Sequence, residues 1–246
     1  MAIGAVLGLV IGSFLAVLTG RWPQGLAITG RSRCDGCGVQ LGVAELVPLL
    51  SFIALRGRCR HCAAAIAPRH LAIELAAAVV GAVMLWRYPL LPGLVAAGAG
   101  WWLLALIVLD AEHQWLPDRL TLPLIPAGLL LGHWLGYAPL GDRALAALLG
   151  FGTLAALRLG WRLRTGREGM GGGDPKLFAG IGALVGVLPL PFLLTGAALL
   201  GLVLALADAL RGRAVTATTA LPFGALLAGM ALILLMIGPN WWEMLR

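Results

Sequence analysis

The chain has 246 residues, of which 60% are hydrophobic and 12% are charged, and its mean hydropathy is +0.94. Because a soluble domain carries about 25% charged residues, this composition excludes an ordinary soluble protein and indicates a membrane protein. In a soluble protein the net charge of +7 would suggest a nucleic-acid partner. Here it is first a signal of membrane topology, and we predict no nucleic-acid partner.

Apolar stretches predict eight membrane-spanning helices, since a helix needs about 20 mostly apolar residues to cross the bilayer. No basic segment precedes the first stretch, so it is expected to be a spanning helix and not a cleaved signal. The sixth stretch is short. Turns are expected at Tyr88-Pro89, Gly141-Asp142 and Pro189-Leu190-Pro191. In chain order the predicted spans are 2–19, 71–87, 93–110, 120–136, 144–161, 177–189, 191–209 and 221–238.

The basic residues predict how these spans are oriented, because cytoplasmic segments are enriched in Lys and Arg. With the N-terminus outside, Arg87, Arg143 and Arg246 fall in outer segments. The other Lys and Arg residues, including Arg211 and Arg213, fall in inner segments. We therefore expect a multi-pass protein of the lipid bilayer, with its basic face in the cytoplasm against anionic lipid.

All four cysteines lie in the polar insertion 21–70. They form two Cys-x2-Cys pairs, Cys34/Cys37 and Cys59/Cys62, separated by 21 residues. Two such pairs can complete a tetrahedral four-thiolate site, and disulfides are disfavoured in the cytoplasm. The spacing predicts structural zinc that folds a loop too small for its own core. Iron in the same cage and a redox-active cysteine pair are the alternatives.

These patterns together predict an all-α polytopic membrane protein with about eight transmembrane helices and a small cytoplasmic zinc-knuckle loop. The first helix carries Gly4, Gly8 and Gly12 at a spacing of four, which predicts close packing against another helix. The predicted parts are a first transmembrane helix over 1–20, a four-cysteine loop over 21–70 and a transmembrane domain over 71–246.

Two aspartates near the inner membrane edge differ in their predicted roles. Asp118 follows Pro117 and is expected to N-cap the next helix. Asp110 ends an unbroken apolar run at a helix C-terminus, where the helix dipole disfavours an anion, so its position favours a functional role. Glu74 lies one turn into the second span, where a carboxylate must face protein or water. We expect it to pair with Arg69 or a helix end, or else to contact substrate.

The stretch 169–176 reads Gly-Met-Gly-Gly-Gly-Asp-Pro-Lys and interrupts the apolar sequence. Its glycines predict an unusual backbone that carries Asp174 close to another backbone. On the predicted topology Asp110 and Asp174 both lie at the cytoplasmic membrane edge, and two carboxylates in contact would share a proton. One could act as base on a water and the other as acid on a carbonyl or leaving amine.

Two other classes of protein could carry these residues. A proton- or cation-coupled transporter would use the same aspartates as coupling groups, although transport sites favour the bilayer midplane. A membrane scaffold that docks a partner through its zinc loop would leave both aspartates without a role.

The combination of motifs resembles one family, the bacterial prepilin peptidases, which are membrane aspartic proteases with a GxGD motif. The resemblance covers nearly the whole chain, in order. It rests on Gly12-Ser13-Phe14-Leu15, on Arg58-Cys59-Arg60-His61-Cys62, on Leu109-Asp110-Ala111-Glu112-His113-Gln114 with Leu116-Pro117-Asp118, on Gly169-Met170-Gly171 with Gly173-Asp174, and on Pro222-Phe223-Gly224.

The resemblance implies that Asp110 and Asp174 are the catalytic aspartates, with Gly171, Gly173 and Lys176 in the active-site loop. The family removes the basic leader from type IV prepilins or type II secretion pseudopilins, next to a glycine, on the cytoplasmic side of the bacterial inner membrane. Many members then N-methylate the new terminus with S-adenosylmethionine. The resemblance also implies that 71–246 is the aspartic peptidase domain and that the cysteine loop binds zinc.

Several acidic residues are candidates for contacts with the substrate. Glu45 and Glu74 are assigned to a possible substrate or methylation region. Asp35, Glu112 and Glu168 are further candidates for contacts with a basic leader peptide.

The chain departs from the family pattern at two positions. The family commonly has Gly-Ser-Phe-Leu-Asn where this chain has Ala16, and a residue other than proline after the GxGD aspartate, where this chain has Pro175. Proline fits the first turn of a helix, so Pro175 is expected to leave the peptidase chemistry intact. Ala16 is expected to affect either methyl transfer or the fit of the substrate.

Overall fold

The computed structural model describes residues 1–34, 36–212 and 221–240, so Asp35, Arg213 and Arg246 lie outside the described residues. Within the described part the chain forms two compact units, Met1–Ala97 and Gly98–Arg246. The α-helices found there are α1 (Ala2–Arg21), α2 (Leu50–Ala54), α3 (Pro68–Arg87), α4 (Leu90–His113), α5 (Asp118–Leu131), α6 (Leu140–Thr165), α7 (Asp174–Val185), α8 (Leu190–Leu210) and α9 (Phe223–Ile237).

The predicted all-α membrane architecture is confirmed. Over the described ranges, five helices are long and apolar enough to cross a membrane, namely α1, α3, α4, α6 and α8, and α9 is a shorter apolar helix. The 14-residue α5 and the 12-residue α7 lie where the fourth and sixth spans were predicted. The eight predicted stretches thus correspond to α1 and to α3 through α9.

The turn expected at Gly141-Asp142 was wrong, because α6 begins at Leu140 and includes both residues. Asp142 suits the first turn of a helix, and it also accepts a hydrogen bond from the Val187 N–H at 3.0 Å. Arg143 is therefore a helical residue, and it is almost completely buried. Its guanidinium donates to the Gly128 carbonyl at 2.7 Å.

In the first unit, α1 packs against α3 along the predicted glycine stripe. A Cβ on Gly4 would overlap the backbone carbonyl of Gly81, and one on Gly8 would overlap that of Ala77. One turn further along, a Cβ on Gly12 would overlap the Cα of Glu74. The close packing predicted from the spacing of four is confirmed, and its physical basis is direct contact between the two backbones.

In the second unit, α7 is enclosed by its neighbours. It packs against α5, α6 and α9, and every residue of α7 except Lys176 is buried. Gly180 and Gly182 allow this approach, because a side chain there would meet Leu124 of α5 or the backbone of Ala146 in α6. A helix buried on all sides can be apolar on all sides. The enclosure fixes the position of Asp174, the first residue of α7.

Gly8→Leu is expected to destabilise the first unit, because overpacking typically costs about 1–3 kcal/mol and here the obstacle is backbone. The measurement is the thermal unfolding midpoint of the full chain in detergent.

Val10→Leu on the same helix is the matched control, since Val10 is 57% exposed and can accommodate an extra methylene. Equal midpoints for the two variants would contradict the assigned packing.

Candidate active site and metal centre

Asp110 is a buried carboxylate in the last turn of α4, 6% exposed. Its Oδ2 accepts a hydrogen bond from the backbone N–H of Ala225 at 2.7 Å. Ala225 is the third residue of α9, and the first four N–H groups of a helix have no partner within the helix. Asp110 thus acts as a side-chain cap for α9, and the amino end of that helix offsets the unfavourable position at the end of α4.

Asp174 is the second buried carboxylate and is 5% exposed. Its side chain and that of Asp110 both lie against Gly224. The position that a Cβ on Gly224 would take lies 2.9 Å from Asp174 Oδ1 and 3.1 Å from Asp110 Oδ2. The two oxygens are therefore at most about 6 Å apart, the sum of those distances. The convergence expected from the sequence is present in the structure, although the residues are far apart in the chain.

The glycines of the loop before Asp174 allow close packing against neighbouring side chains. The unusual backbone conformation that was predicted for them is not observed. None of the glycines at 169 and 171–173 has a positive φ, and Gly173 has φ −80° and ψ −29°. A Cβ on Gly173 would lie 2.5 Å from Leu116 Cβ, and one on Gly169 would lie 2.5 Å from the Trp161 ring. Gly171 packs directly against Asp174 Oδ2. Glycine is needed at these positions because a side chain would overlap the neighbouring residues.

Leu116 is a site residue that sequence reasoning missed. It lies between α4 and α5, and its side chain touches the Gly173 end of the loop as well as the Gly224 end of α9. It forms an apolar wall beside both aspartates. Ala225 was missed as well, because nothing in an apolar helix start marks its N–H as a donor to a carboxylate 115 residues away.

Lys176 and Asp118 form an ion pair, with Nζ donating to Oδ1 at 2.6 Å. The predicted N-cap role of Asp118 was wrong, because Pro117 occupies the cap position and Asp118 is already helical. Its charge still suits the first turn of α5. The pair ties the start of α7 to the start of α5, two residues from Asp174.

An ion-pair cluster holds the loop that precedes Asp174. Glu168 accepts two hydrogen bonds from Arg158, at 2.9 and 2.7 Å, and lies 3.6 Å from Arg162. Both arginines belong to α6. Glu168, predicted as a contact for a basic leader, is thus engaged by residues of its own chain.

The four cysteines come together in the first unit, as predicted. Their sulfur atoms all lie within 4.8 Å of one another, and Cys34 Sγ is 3.7 Å from Cys62 Sγ. A tetrahedral zinc with Zn–S bonds of about 2.3 Å requires sulfurs about 3.8 Å apart, so the donor set fits a tetrahedral metal. The thiols are free, and the cluster can bind a metal ion.

The two knuckles repeat the same backbone pattern 25 positions apart. The Cys34 N–H bonds the Val39 carbonyl, and the Cys59 N–H bonds the Ala64 carbonyl. The N–H groups of Gly36 and His61 each approach a cysteine sulfur at 3.4 Å. Backbone N–H groups from Cys37 and Gly36 lower the pKa of Cys34 to about 6, which favours the thiolate that a metal needs.

Glu45 and Glu74 both lie in the first unit. Glu74 accepts the Leu49 N–H at 2.9 Å, whereas Arg69 donates to the Ala16 carbonyl at 2.8 Å and to Thr19 Oγ1 at 2.5 Å. Of the two partners predicted for Glu74, Arg69 or a helix end, the observed hydrogen bond is to a helix end, since Leu49 directly precedes α2. Glu45 accepts the Gly42 N–H at 2.7 Å.

These features define a class of protein: a polytopic helical membrane protein with a buried pair of aspartates and a four-cysteine cluster that can bind a metal ion. Comparison with known proteins places both units of the chain in one family. Residues 6–88 match the Bacterial Peptidase A24 N-terminal domain, and residues 97–206 match the Type IV leader peptidase family. No solved structure matches the chain.

Named relatives cover most of the sequence. The Prepilin leader peptidase/N-methyltransferase of Pseudomonas putida is 37% identical over 93% of this chain and 87% of its own length. The protein of the same name from Burkholderia pseudomallei (strain 1026b) is 37% identical over 100% of this chain and 88% of its own length. The protein of the same name from Dichelobacter nodosus is 40% identical over 80% of this chain and 68% of its own length. The chain belongs to the type IV leader peptidase family, as the sequence motifs predicted.

The metal centre leads to a prediction. Purified protein is expected to contain about one metal ion per chain, and removal of the metal should lower the thermal midpoint, because the cysteine loop has little core of its own. The measurements are elemental analysis for the metal content and the thermal unfolding midpoint, each taken before and after treatment with a strong chelator.

Cys37→Ser should reduce the metal content in the same way. Ser51→Ala, in the same loop but outside the thiolate set, is the control and should keep the metal. A metal content far below one per chain in the unaltered protein would refute the site.

Proposed function

We propose that the chain is a membrane aspartic endopeptidase that removes the leader of type IV prepilins or type II secretion pseudopilins after a glycine. The observation that carries the proposal is the meeting of Asp110 and Asp174 at Gly224 in a buried site. Membership of a family whose relatives are named as leader peptidases supports it and does not favour the alternative of a proton-coupled transporter.

The proposed chemistry uses both carboxylates. Two buried carboxylates at this separation hold one proton between them and leave room for a water. The ionised carboxylate takes a proton from that water, whose oxygen attacks the scissile carbonyl, while the protonated partner donates to the carbonyl oxygen. The tetrahedral carbon then loses the leaving amine, which accepts a proton as the C–N bond breaks. The helix end at Ala225 keeps Asp110 in position throughout.

Asp110→Asn and Asp174→Asn are each expected to lower prepilin cleavage by at least about 10²-fold, the usual scale for losing an acid or base. The measurement is the initial cleavage rate of a prepilin with a Gly-Phe junction, using the full chain in detergent.

Asp208→Asn is the matched control, since it removes the charge of a carboxylate in the last turn of α8, which lies 3.9 Å from Arg211. It should cleave like the unaltered chain. Full cleavage by either active-site variant would refute the assignment.

Gly224→Ala is expected to slow cleavage about tenfold or more, since misplacement by about 1 Å can cost 10²-fold. The added methyl would press on both aspartates and on Leu116. The measurement is the same cleavage rate, with Gly229→Ala as control, because a Cβ on Gly229 of the same helix meets nothing within 4 Å. If both alanine variants cleave equally, Gly224 does not separate the carboxylates.

We also propose that the chain N-methylates the new terminus, because its relatives are named N-methyltransferases. S-adenosylmethionine would supply the methyl group: the unprotonated amine forms the N–C bond while the C–S bond breaks, sulfur keeps the electron pair, and the amine loses a proton. A gain of one methyl in the mature pilin, measured by mass spectrometry, is the test, and an unmodified product would count against this activity.

Two further assignments complete the proposal. The metal is zinc, supported by a closed set of four thiolates, and the elemental analysis above distinguishes it from iron. The N-terminus lies outside the inner membrane and the active site faces the cytoplasm, supported by the distribution of arginines. Labelling with an impermeant amine reagent tests the orientation: Lys176, the single lysine of the sequence, should react from the cytoplasmic side alone.

A further inference from the structure

Arg143, near the amino end of α6, is a buried charge that the proposed chemistry of hydrolysis does not use. It is 2% exposed, and its guanidinium donates to the Gly128 carbonyl at 2.7 Å, while its Nε has no hydrogen-bond partner among the described residues. The dipole of α6 disfavours a cation at this end. Because a buried cation is costly unless it is fully paired, an apolar side chain would serve stability at least as well. Stability alone therefore does not account for an arginine here.

The guanidinium of Arg143 lies at the carboxyl ends of two helices, α5 and α7. Gly128 is in the last turn of α5, and its carbonyl also accepts the N–H of Gly132, the residue that follows this helix. A Cβ on Gly132 would overlap Arg143 Nη1, and it would lie 3.1 Å from the carbonyl oxygen of Leu184 in the last turn of α7. Since helix carboxyl ends attract cations, one arginine serves both helices.

Asp142, the neighbouring residue of α6, holds the chain where α7 ends. Its Oδ2 accepts a hydrogen bond from the Val187 N–H at 3.0 Å. Gly186, which follows the last residue of α7, has φ 83°, and a Cβ there would overlap the same carboxylate oxygen. Glycine thus meets a backbone requirement and a space requirement together. Asp142 and Arg143 form an end clamp on α5 and α7.

The sides of α7 do little to stop this helix from sliding along its axis. A Cβ on Gly128 of α5 would lie 2.8 Å from that of Ala183, and one on Gly182 would lie 2.6 Å from the Ala146 carbonyl of α6. Small residues let helices approach closely, but they form shallow ridges that interlock less than large side chains. Hydrogen bonds at the helix ends are therefore left to fix the axial position of α7.

The axial position of α7 sets where Asp174 lies relative to Asp110. Asp174 is the first residue of α7, so a shift of the helix along its axis moves this carboxylate with it. At this end α7 is tied to α5 by Lys176 and Asp118, whose side chains are 29% and 58% exposed. An exposed ion pair contributes little to holding two elements together. The buried contacts of the end clamp therefore supply the larger part of the restraint.

We infer that Asp142 and Arg143 are positioning residues for peptide hydrolysis, which hold α7 at the depth where Asp174 meets Asp110. The inference rests on the proposed endopeptidase function and deepens it. Neither residue touches the reacting atoms, since both act at the opposite end of α7 from the aspartate pair.

The test is steady-state cleavage of a prepilin with a Gly-Phe junction by the full chain in detergent, measured across a range of pH. Arg143→Met keeps the length of the side chain without its donors, and Asp142→Ala removes the acceptor for Val187. Each is expected to lower kcat about tenfold or more and to leave KM within about twofold, since misplacement by about 1 Å can cost 10²-fold. The pH profile of kcat should also move, because the sharing of a proton depends on the separation of the two carboxylates.

Conservative variants at the same positions provide the rescue. Asp142→Asn keeps an acceptor oxygen for the Val187 N–H and should cleave like the unaltered chain, and Arg143→Lys keeps a cationic donor and should recover most of kcat. Leu148→Ala is the matched control, because Leu148 also lies on α6 and is 72% exposed. Thermal midpoints above the assay temperature show that the variants are folded.

Two results would overturn the positioning role. One is a lower kcat with an unmoved pH profile, which would show that the end clamp supports only the fold. The other is an unaltered kcat in both Arg143→Met and Asp142→Ala, and in either case the endopeptidase function stands while the Asn variants of the aspartate pair lose cleavage. If those Asn variants cleave fully, the endopeptidase function fails and the positioning role fails with it. If Arg143→Met does not fold, the comparison of Asp142→Ala with Asp142→Asn decides.

Discussion

Two carboxylates buried side by side impose the main constraint on the second unit. Removing Asp110 and Asp174 from water is costly unless hydrogen-bond donors and close packing compensate. The end of α4, the start of α7 and the start of α9 must therefore meet at one point. Gly224 makes this possible by presenting no side chain, and the N–H of Ala225 donates a hydrogen bond to one of the two carboxylates. The enclosure of α7 by three helices follows from the same requirement.

The first unit is organised by different forces. A bare backbone contact joins α1 to α3, while the two knuckles of the loop meet at their four cysteine sulfurs, a set that can bind a metal ion. A metal can thus stabilise a polar segment that has little hydrophobic core of its own. Such a segment can also leave a polar cavity open beside it, which a close-packed core would fill.

The sequence predicted the helices, the cysteine cluster and the pairing of Asp110 with Asp174, because hydropathy, ligand spacing and depth are all local signals. It did not predict contacts made by the backbone. The Ala225 donor and the wall formed by Leu116 depend on which helix ends meet, and apolar residues give no sign of that. The glycine loop was correctly linked to close approach but wrongly to unusual dihedral angles. Asp118 was assigned to a cap from its proximity to Pro117, and its long-range partner Lys176 could not be read from the chain.

The short lengths of α5 and α7 have a consequence for how water reaches the site. Twelve helical residues extend about 18 Å, whereas the hydrocarbon core is about 30 Å thick. Neither α7 nor the 14-residue α5 can reach both membrane surfaces, and both begin beside the aspartate pair. Because α7 is enclosed by protein, the mismatch with lipid falls on α5, and it is relieved when the bilayer thins around α5 or when water fills a recess at its end. Either response brings solvent close to the carboxylates, so the water that hydrolysis consumes need not cross intact lipid.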